Sequence, residues 1–178
     1  MDASYEAALS RNLIELERAQ LNLQAMVAME AAKPTEMSLK VIYYALFNDY
    51  IAHCIKVFDQ HRDAASFWYL HKQNKQQIEQ LADSLSIDLA GFSQMSDKLK
   101  HVRDKTHFHI DRKGVIDPKA VWRDAEINGL ALAKTVRSVW SLLMAVREAN
   151  GLDRVDLPEL NTSVITKATT MIEEGRIE

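Results

Sequence analysis

The chain has 178 residues, of which 47% are hydrophobic and 26% charged, a composition typical of a soluble globular protein. Its length predicts one domain with enough residues to bury a proper core. The formal net charge of -3 argues against attraction of nucleic acid by the whole surface, so any such contact requires a local basic patch. The single cysteine, Cys54, excludes an internal disulfide and is expected in the core.

Targeting and membrane signals are weak in this sequence. The segment from Met1 to Glu6 lacks the basic start and apolar stretch of a signal peptide. We find no run of about 18 apolar residues, so we expect no membrane span and a cytoplasmic location. The chain contains only five glycines and three prolines, and this scarcity favours long helices over a fold with many turns.

The first half of the chain predicts three helices. Residues 4–31 carry an apolar stripe at steps close to three and four, which ends before Pro34. Residues 38–59 are apolar on nearly every side, so we expect this helix to be packed on all sides at the centre of the fold. A polar connection over residues 59–64 leads into a third helix over about 65–85.

The second half predicts two long helices and a tail. A fourth helix spans about 89–110, and a fifth runs from Asp117-Pro118, an N-cap followed by proline, to the stop at Asn150-Gly151. Residues 152–178 form an extension with one short helix over about 161–174. The apolar stripe of the fourth helix is Phe92, Met95, Leu99, Val102, Thr106 and His109.

These segments predict an all-α fold, a bundle of four to five main helices with a short C-terminal extension. We expect one domain over residues 1–178, with its core at about 38–150 and the extension at 152–178. No alternating pattern of useful length predicts a strand.

Three of the six histidines lie between residues 101 and 109, at the end of the fourth predicted helix. One arginine and one histidine are the smallest set of side chains that can cleave RNA without a metal, and this stretch contains Arg103 beside its histidines. A histidine moves a proton near neutral pH, and an arginine holds the charge that builds on phosphorus. Residues 98–113 contain six cations against two acids, namely Lys98, Lys100, Arg103, Lys105, Arg112 and Lys113 against Asp104 and Asp111.

Three interpretations fit this cluster: a solvated helix end with incidental histidines, a metal site, and a site that binds or cleaves RNA. The metal site would use His107, His109 and Asp111, with His101 as a fourth ligand. On a helix, however, His107 and His109 point about 200° apart, which is wrong for chelation. We therefore predict no bound metal and no cofactor.

The stretch Arg103-Asp104-Lys105-Thr106-His107-Phe108-His109 resembles the signature of the HEPN superfamily, an arginine and a histidine separated by four to six residues. With Asp111 it is most similar to the abortive-infection (type U) branch, which also tends to carry a Phe/Leu-Asp pair like Phe58-Asp59. The resemblance covers roughly residues 38–150. Many relatives have a small residue, often alanine, just before the histidine, whereas this chain has Phe108 at that position. His107, at a spacing of three, falls outside the family range, so the catalytic role passes to His109.

The resemblance implies a metal-independent endoribonuclease of the toxin or phage-defence type, with a cleft between two protomers of a homodimer. Arg103, His109 and Asp104 would form the catalytic set, in which Asp104 would orient Arg103 or a motif residue across the dimer. A cognate antitoxin, nucleotidyltransferase-like, would be encoded separately. RNA-backbone contacts would come from Lys100, Lys105, His107 and Arg112, and Asp111 would have a structural role in the following loop. The alternative is a non-catalytic HEPN module that binds RNA, a nucleotide or a partner protein.

Overall fold

A computed structural model describes residues 2–107 and 118–175, which fold into α-helices and contain no strand. The prediction of an all-α fold is confirmed, whereas the HEPN-type bundle of four to five main helices stays a prediction. A π-helical turn, Arg103–His107, continues α5. The helices are α1 (Ala3–Ala31), α2 (Met37–Phe58), α3 (Phe67–Gln73), α4 (Lys75–Ser84), α5 (Leu89–Val102), α6 (Pro118–Asp124), α7 (Gly129–Ala149) and α8 (Thr162–Glu173).

Contacts within the chain group its residues into two compact units. The first unit comprises Met1–Leu16 and Cys54–Val155, and the second comprises Glu17–His53 and Asp156–Glu178. Both α1 and α2 therefore contribute residues to each unit. The prediction of a single domain over residues 1–178 stays a prediction.

The core of the first unit fixes the position of α5. Both α4 and α5 pack against α7, and α5 also contacts α6. The predicted apolar stripe is buried at Phe92, Met95, Leu99 and Val102, each 7% exposed or less. Since complete burial of a large apolar side chain stabilises the fold by about 1.5–3 kcal/mol, this stripe holds the C-terminal end of α5 firmly in place.

The prediction that the second helix is packed on all sides is wrong for its first half. In α2, the side chains of Met37, Val41, Ile42 and Tyr44 are between 48% and 68% exposed. By contrast, six of the nine residues from Tyr50 to Phe58 are apolar and buried, with Cys54 among them. The first half of α2 belongs to the second unit, whose other helices are part of α1 and α8, too few to enclose it.

The third predicted helix, about 65–85, is broken at Asn74, and the prediction of one helix there is wrong. Asn74 leaves helical geometry with φ -139° and ψ 54°, so α3 ends before it and α4 begins after it. Its side-chain amide hydrogen-bonds Gln77. Asparagine offers the backbone such local alternatives to a helix, which the apolar periodicity of the segment does not reveal.

The fifth predicted helix is also interrupted, so an unbroken helix over 118–149 is wrong. Glu126 takes a positive φ of 51°, and the side chain of Asn128 accepts hydrogen bonds from the N–H groups of Leu130 and Ala131 at 2.9 and 3.1 Å. This N-cap starts a new helix, α7, in which Gly129 is the first residue.

The helix ends predicted from Pro118 and Gly151 agree with the structure, and so does the short helix predicted in the tail. The helix α6 begins at Pro118, while Asp117 lies outside the described residues. The helix α7 ends at Ala149, and Gly151 takes a φ of 76°, a conformation that glycine adopts without strain. The predicted short helix in the tail corresponds to α8.

Among the described residues, one helix, Gly129–Ala149, is long and apolar enough to cross a membrane by length and composition. Eight of its side chains are buried against the first unit, including Val139, Leu142 and Leu143 at 0% exposure. A core helix of a water-soluble protein passes the same test, so this is weak evidence for a span. The cytoplasmic location stays a prediction.

Candidate functional site around Arg103

The candidate site begins where α5 changes its hydrogen-bonding pattern. The α-helix ends at Val102 rather than near residue 110 as predicted, and a π-helical turn follows over Arg103–His107. Such turns, in which hydrogen bonds join residues i and i+5, are rare in proteins overall. Those that do occur often lie at functional sites. Because the register changes at Arg103, the apolar stripe of α5 no longer extrapolates to His109, which lies outside the described residues.

Two carboxylates hold the guanidinium of Arg103. Its Nε donates to Oδ1 of Asp104 at 2.9 Å, and its Nη1 donates to Oδ1 of Asp59 at 3.1 Å. The hydrogen bond to Asp104, and then the charges of both acids, raise the pKa of Arg103 above its usual value. Its side chain is 22% exposed. Among the described residues these contacts use two of the five N–H groups, which leaves donors for an anion.

Asp59 is positioned by the segment that connects α2 to α3. Its carboxylate also accepts the N–H of His61 at 3.0 Å, and its backbone carbonyl accepts the hydroxyl of Ser66, a residue that is 1% exposed. The Phe58-Asp59 pair, which supported the resemblance to HEPN proteins, thus contacts Arg103 directly. Apart from that resemblance, nothing in the sequence marks Asp59 as a partner of a residue 44 positions away.

A pocket of about 430 Å³ opens beside Arg103, and we call it the Arg103 pocket. Its described lining carries three cationic side chains, Arg62, Lys100 and Arg103, and one carboxylate, Asp59, in a chain whose net charge is -3. Its lining consists of Ile55, Phe58, Asp59, Gln60, His61, Arg62, Ser96, Leu99, Lys100 and Arg103. The sequence pattern did not reveal Gln60, His61 and Arg62 as site residues, because residues 59–64 read only as a polar connection.

The predicted site residues fall into two groups. The structure brings together Arg103, Asp104 and Lys100, whereas Lys105 is exposed on the π-helical turn and does not line the pocket. Lys98, counted in the basic patch, donates to the carbonyl of Glu126 at 2.9 Å.

The remaining predicted site residues lie outside the described part of the structure. The backbone of His107 belongs to the π-helical turn, but its side chain is not among the described ones, and His109, Asp111 and Arg112 fall outside entirely. The roles assigned to all predicted site residues stay predictions.

A second charge cluster lies in the same unit. The carboxylate of Glu15 pairs with Arg11 and, at 3.2 Å, with Nζ of Lys56. Its side chain is 3% exposed, whereas those of Arg11 and Lys56 are 58% and 52% exposed. These three residues line a smaller pocket of about 250 Å³ that also touches Asp59.

No group of three or more histidine, cysteine, aspartate or glutamate side chains that could hold a metal occurs within residues 2–107 and 118–175. The set considered from the sequence, His107, His109 and Asp111, falls outside the side chains that the structure describes. The prediction that no metal is bound therefore stays a prediction.

In comparisons with known proteins, no family model, no curated protein and no solved structure matches the chain. The resemblance to HEPN proteins therefore rests on the motif residues of this sequence alone.

Proposed function

We propose that the protein is a metal-independent endoribonuclease of the toxin or phage-defence type that acts through Arg103 and His109. One observation carries the proposal: two carboxylates hold the charged guanidinium of Arg103 at the edge of a basic pocket. An arginine held in this way needs no rearrangement to meet the charge that develops on phosphorus, and preorganised charge of this kind is a large contribution to catalysis.

The chemistry requires a base and a charge stabiliser. His109 takes the proton of the ribose 2′-hydroxyl, and the oxygen attacks the adjacent phosphorus. The bond between phosphorus and the 5′-oxygen breaks, and that oxygen takes a proton from water while His109 releases its own proton to water, which gives a 2′,3′-cyclic phosphate and a 5′-hydroxyl end. Arg103 donates hydrogen bonds to the non-bridging oxygens as their charge grows, oriented by Asp104 and Asp59.

Substrate contacts and partners complete the proposal. Lys100, Lys105, His107 and Arg112 contact the RNA backbone, which positions the substrate without reading its sequence. Asp111 anchors the loop after the motif. Two copies of the chain form a homodimer in which the motifs face each other, because one motif offers few groups for catalysis. A separately encoded antitoxin of the nucleotidyltransferase type would restrain the enzyme, and the reaction uses no cofactor.

Cleavage of single-stranded RNA in the presence of EDTA tests the proposal. The wild-type chain should cleave, and His109→Ala should lower the rate by at least about a hundredfold, in line with loss of a general base. The matched control is His107→Ala, which should be milder. Both variants must keep wild-type helicity. If His107→Ala is the more damaging change, the wrong histidine has been assigned.

The dimer is tested separately by sedimentation at micromolar concentration, where the mass should be about twice the 20.3 kDa of the chain. A monomer across that range would remove the composite site. The wild-type mass should persist in His109→Ala, so that a loss of activity in this variant reports chemistry rather than assembly.

A second candidate function is the non-catalytic HEPN module that binds RNA, a nucleotide or a partner protein. It is favoured by the two ionic partners of Arg103 and by the low exposure of that side chain, both of which suit a structural arginine. Binding of RNA without cleavage of any structured or unstructured substrate would favour it over the endoribonuclease.

A further inference from the structure

We infer that the Arg103 pocket accepts one unpaired ribonucleotide of a bound RNA, with its phosphate on the cations and its base against the apolar floor. This deepens the proposed function, because it rests on RNA as the ligand, but it does not depend on cleavage. Every residue that it uses is described by the structure and belongs to the first unit.

Size is the first argument. The pocket encloses about 430 Å³, within the range of roughly 300–1,000 Å³ that small-molecule sites occupy. Each water molecule takes up about 30 Å³, so an anion alone would leave most of this volume to solvent. The space is suited to an organic group attached to the anion.

The chemistry of the lining is the second argument. Ile55, Phe58 and Leu99 form an apolar floor and are at most 9% exposed, so packing fixes their positions. Gln60 and His61 add an amide and an imidazole, which carry donors and acceptors suited to the edge of a base. Proteins that recognise RNA by sequence mostly use unstacked bases of single strands, which such a lining can receive.

Charge is the third argument. Arg62 and Lys100 are exposed and Arg103 is partly exposed, so the phosphate oxygens of a nucleotide could meet all three from the solvent side. Among the described residues that line the pocket, these three cations face one acid, Asp59, while Arg62 also pairs with Asp63 at 3.6 Å and Arg103 with Asp104 at 2.9 Å. An acidic peptide would satisfy the cations as well, but it lacks the planar group that the floor and the side chains of Gln60 and His61 would receive.

Binding of mononucleotides to the full chain tests the inference. The probes are the four ribonucleoside 3′-monophosphates, with inorganic phosphate, the matching ribonucleosides and an Asp/Glu peptide as comparisons. At least one nucleotide should bind about tenfold or more tightly than each comparison. It should also shift the amide NMR signals of residues 55–62 and 96–103. Equal binding of phosphate or of the peptide, or signal shifts confined to other residues, would overturn the inference.

Charge-reversal variants give a second readout. Arg62→Glu and Lys100→Glu should each weaken nucleotide binding by about tenfold or more, since each replaces a charge-assisted contact with repulsion. The matched control is Arg137→Glu on α7, an exposed arginine outside the pocket, which should change binding by less than about twofold. Equal weakening by all three variants would mean that overall charge, not the pocket, binds the nucleotide.

The two proposals fail in different ways. Nucleotide binding in the pocket without RNA cleavage would refute the endoribonuclease and leave the pocket assignment standing. RNA cleavage in EDTA without nucleotide binding in the pocket would refute the pocket assignment and leave the endoribonuclease standing.

Discussion

Two charge clusters of the first unit have opposite arrangements of charge. In one, the cation Arg103 lies between the carboxylates of Asp59 and Asp104, and in the other the carboxylate of Glu15 lies between Arg11 and Lys56. The central side chain is 22% exposed and lines a pocket of about 430 Å³ in the first cluster, whereas it is 3% exposed in the second.

We propose that the accessibility of the central group, rather than the number of paired charges, distinguishes the cluster with a functional role from the structural one. Glu15 pairs with Arg11 and Lys56, and its side chain is 3% exposed. A carboxylate that is buried to this extent requires such ion pairs. Among the described residues, Arg103 uses Nε and Nη1 for its two carboxylates, and its side chain also lines a pocket.

The largest effect that separates the clusters should be on catalysis. Arg103→Ala should lower RNA cleavage by at least about a hundredfold, because it removes the group that stabilises charge in the transition state. Glu15→Gln should leave the rate within about twofold of wild type, since its side chain is 3% exposed, lines the smaller pocket rather than the Arg103 pocket, and takes no part in the proposed chemistry. Initial rates in EDTA, with circular dichroism to verify folding, measure both. Comparable losses in the two variants would erase the distinction.

Stability should show the opposite order. Glu15→Gln should lower the free energy of unfolding by about 1–3 kcal/mol, because a buried charge-assisted pairing is lost while both cations can return to water. The control Arg11→Gln should cost less than about 1 kcal/mol, since this partner is largely exposed. Urea unfolding gives both values. If Arg103→Ala destabilises the chain more than Glu15→Gln, Arg103 is mainly structural and the binding module is favoured.

A smaller effect is expected from the residue that orients Arg103. Asp59→Asn should lower kcat for RNA cleavage by about tenfold, equivalent to about 1.4 kcal/mol, with little change in KM, because the charge of Arg103 persists but its placement loosens. Asp104→Asn should be milder, since Asp104 is 47% exposed against 26% for Asp59.

The matched control is Asp83→Asn, an exposed aspartate on α4 that does not line the Arg103 pocket, which should behave as wild type. A rise in KM alone for Asp59→Asn would assign Asp59 to substrate binding instead of positioning.

The smallest effect concerns a partly buried histidine, His71, whose side chain is 19% exposed. Burial lowers the pKa of His71, and the nearby Glu79, at 3.7 Å, opposes this only in part. The unfolded chain therefore takes up a proton before the folded chain does as the pH falls below about 6.5. The stability that His71 contributes is present above that pH and is lost as the pH falls toward its folded-state pKa.

Urea midpoints at about pH 7.5 and about pH 5.5 measure this loss. The midpoint of the wild-type chain should fall more over this interval than that of His71→Gln. An equal fall in both chains would show that another group carries the pH dependence.

The features that could be predicted from the sequence are local ones. Its periodicity predicted α1 and the apolar stripe of α5, because a 3.6-residue repeat of apolar side chains marks a helix with one face that can be buried. Pro118 and Gly151 marked helix ends through their own backbone preferences. The motif also singled out Arg103, with its neighbour Asp104, from the residue types and their spacing alone.

Which charged groups meet depends on the tertiary fold. The contact between Arg103 and Asp59 spans 44 positions, and the Arg103 pocket joins the segment after α2 to the end of α5. An apolar pattern states that a face can be buried but not whether a neighbour exists to cover it, which is why the first half of α2 is exposed. Partners and pockets arise from the packing of distant elements, and that packing depends on the free energy of the whole chain.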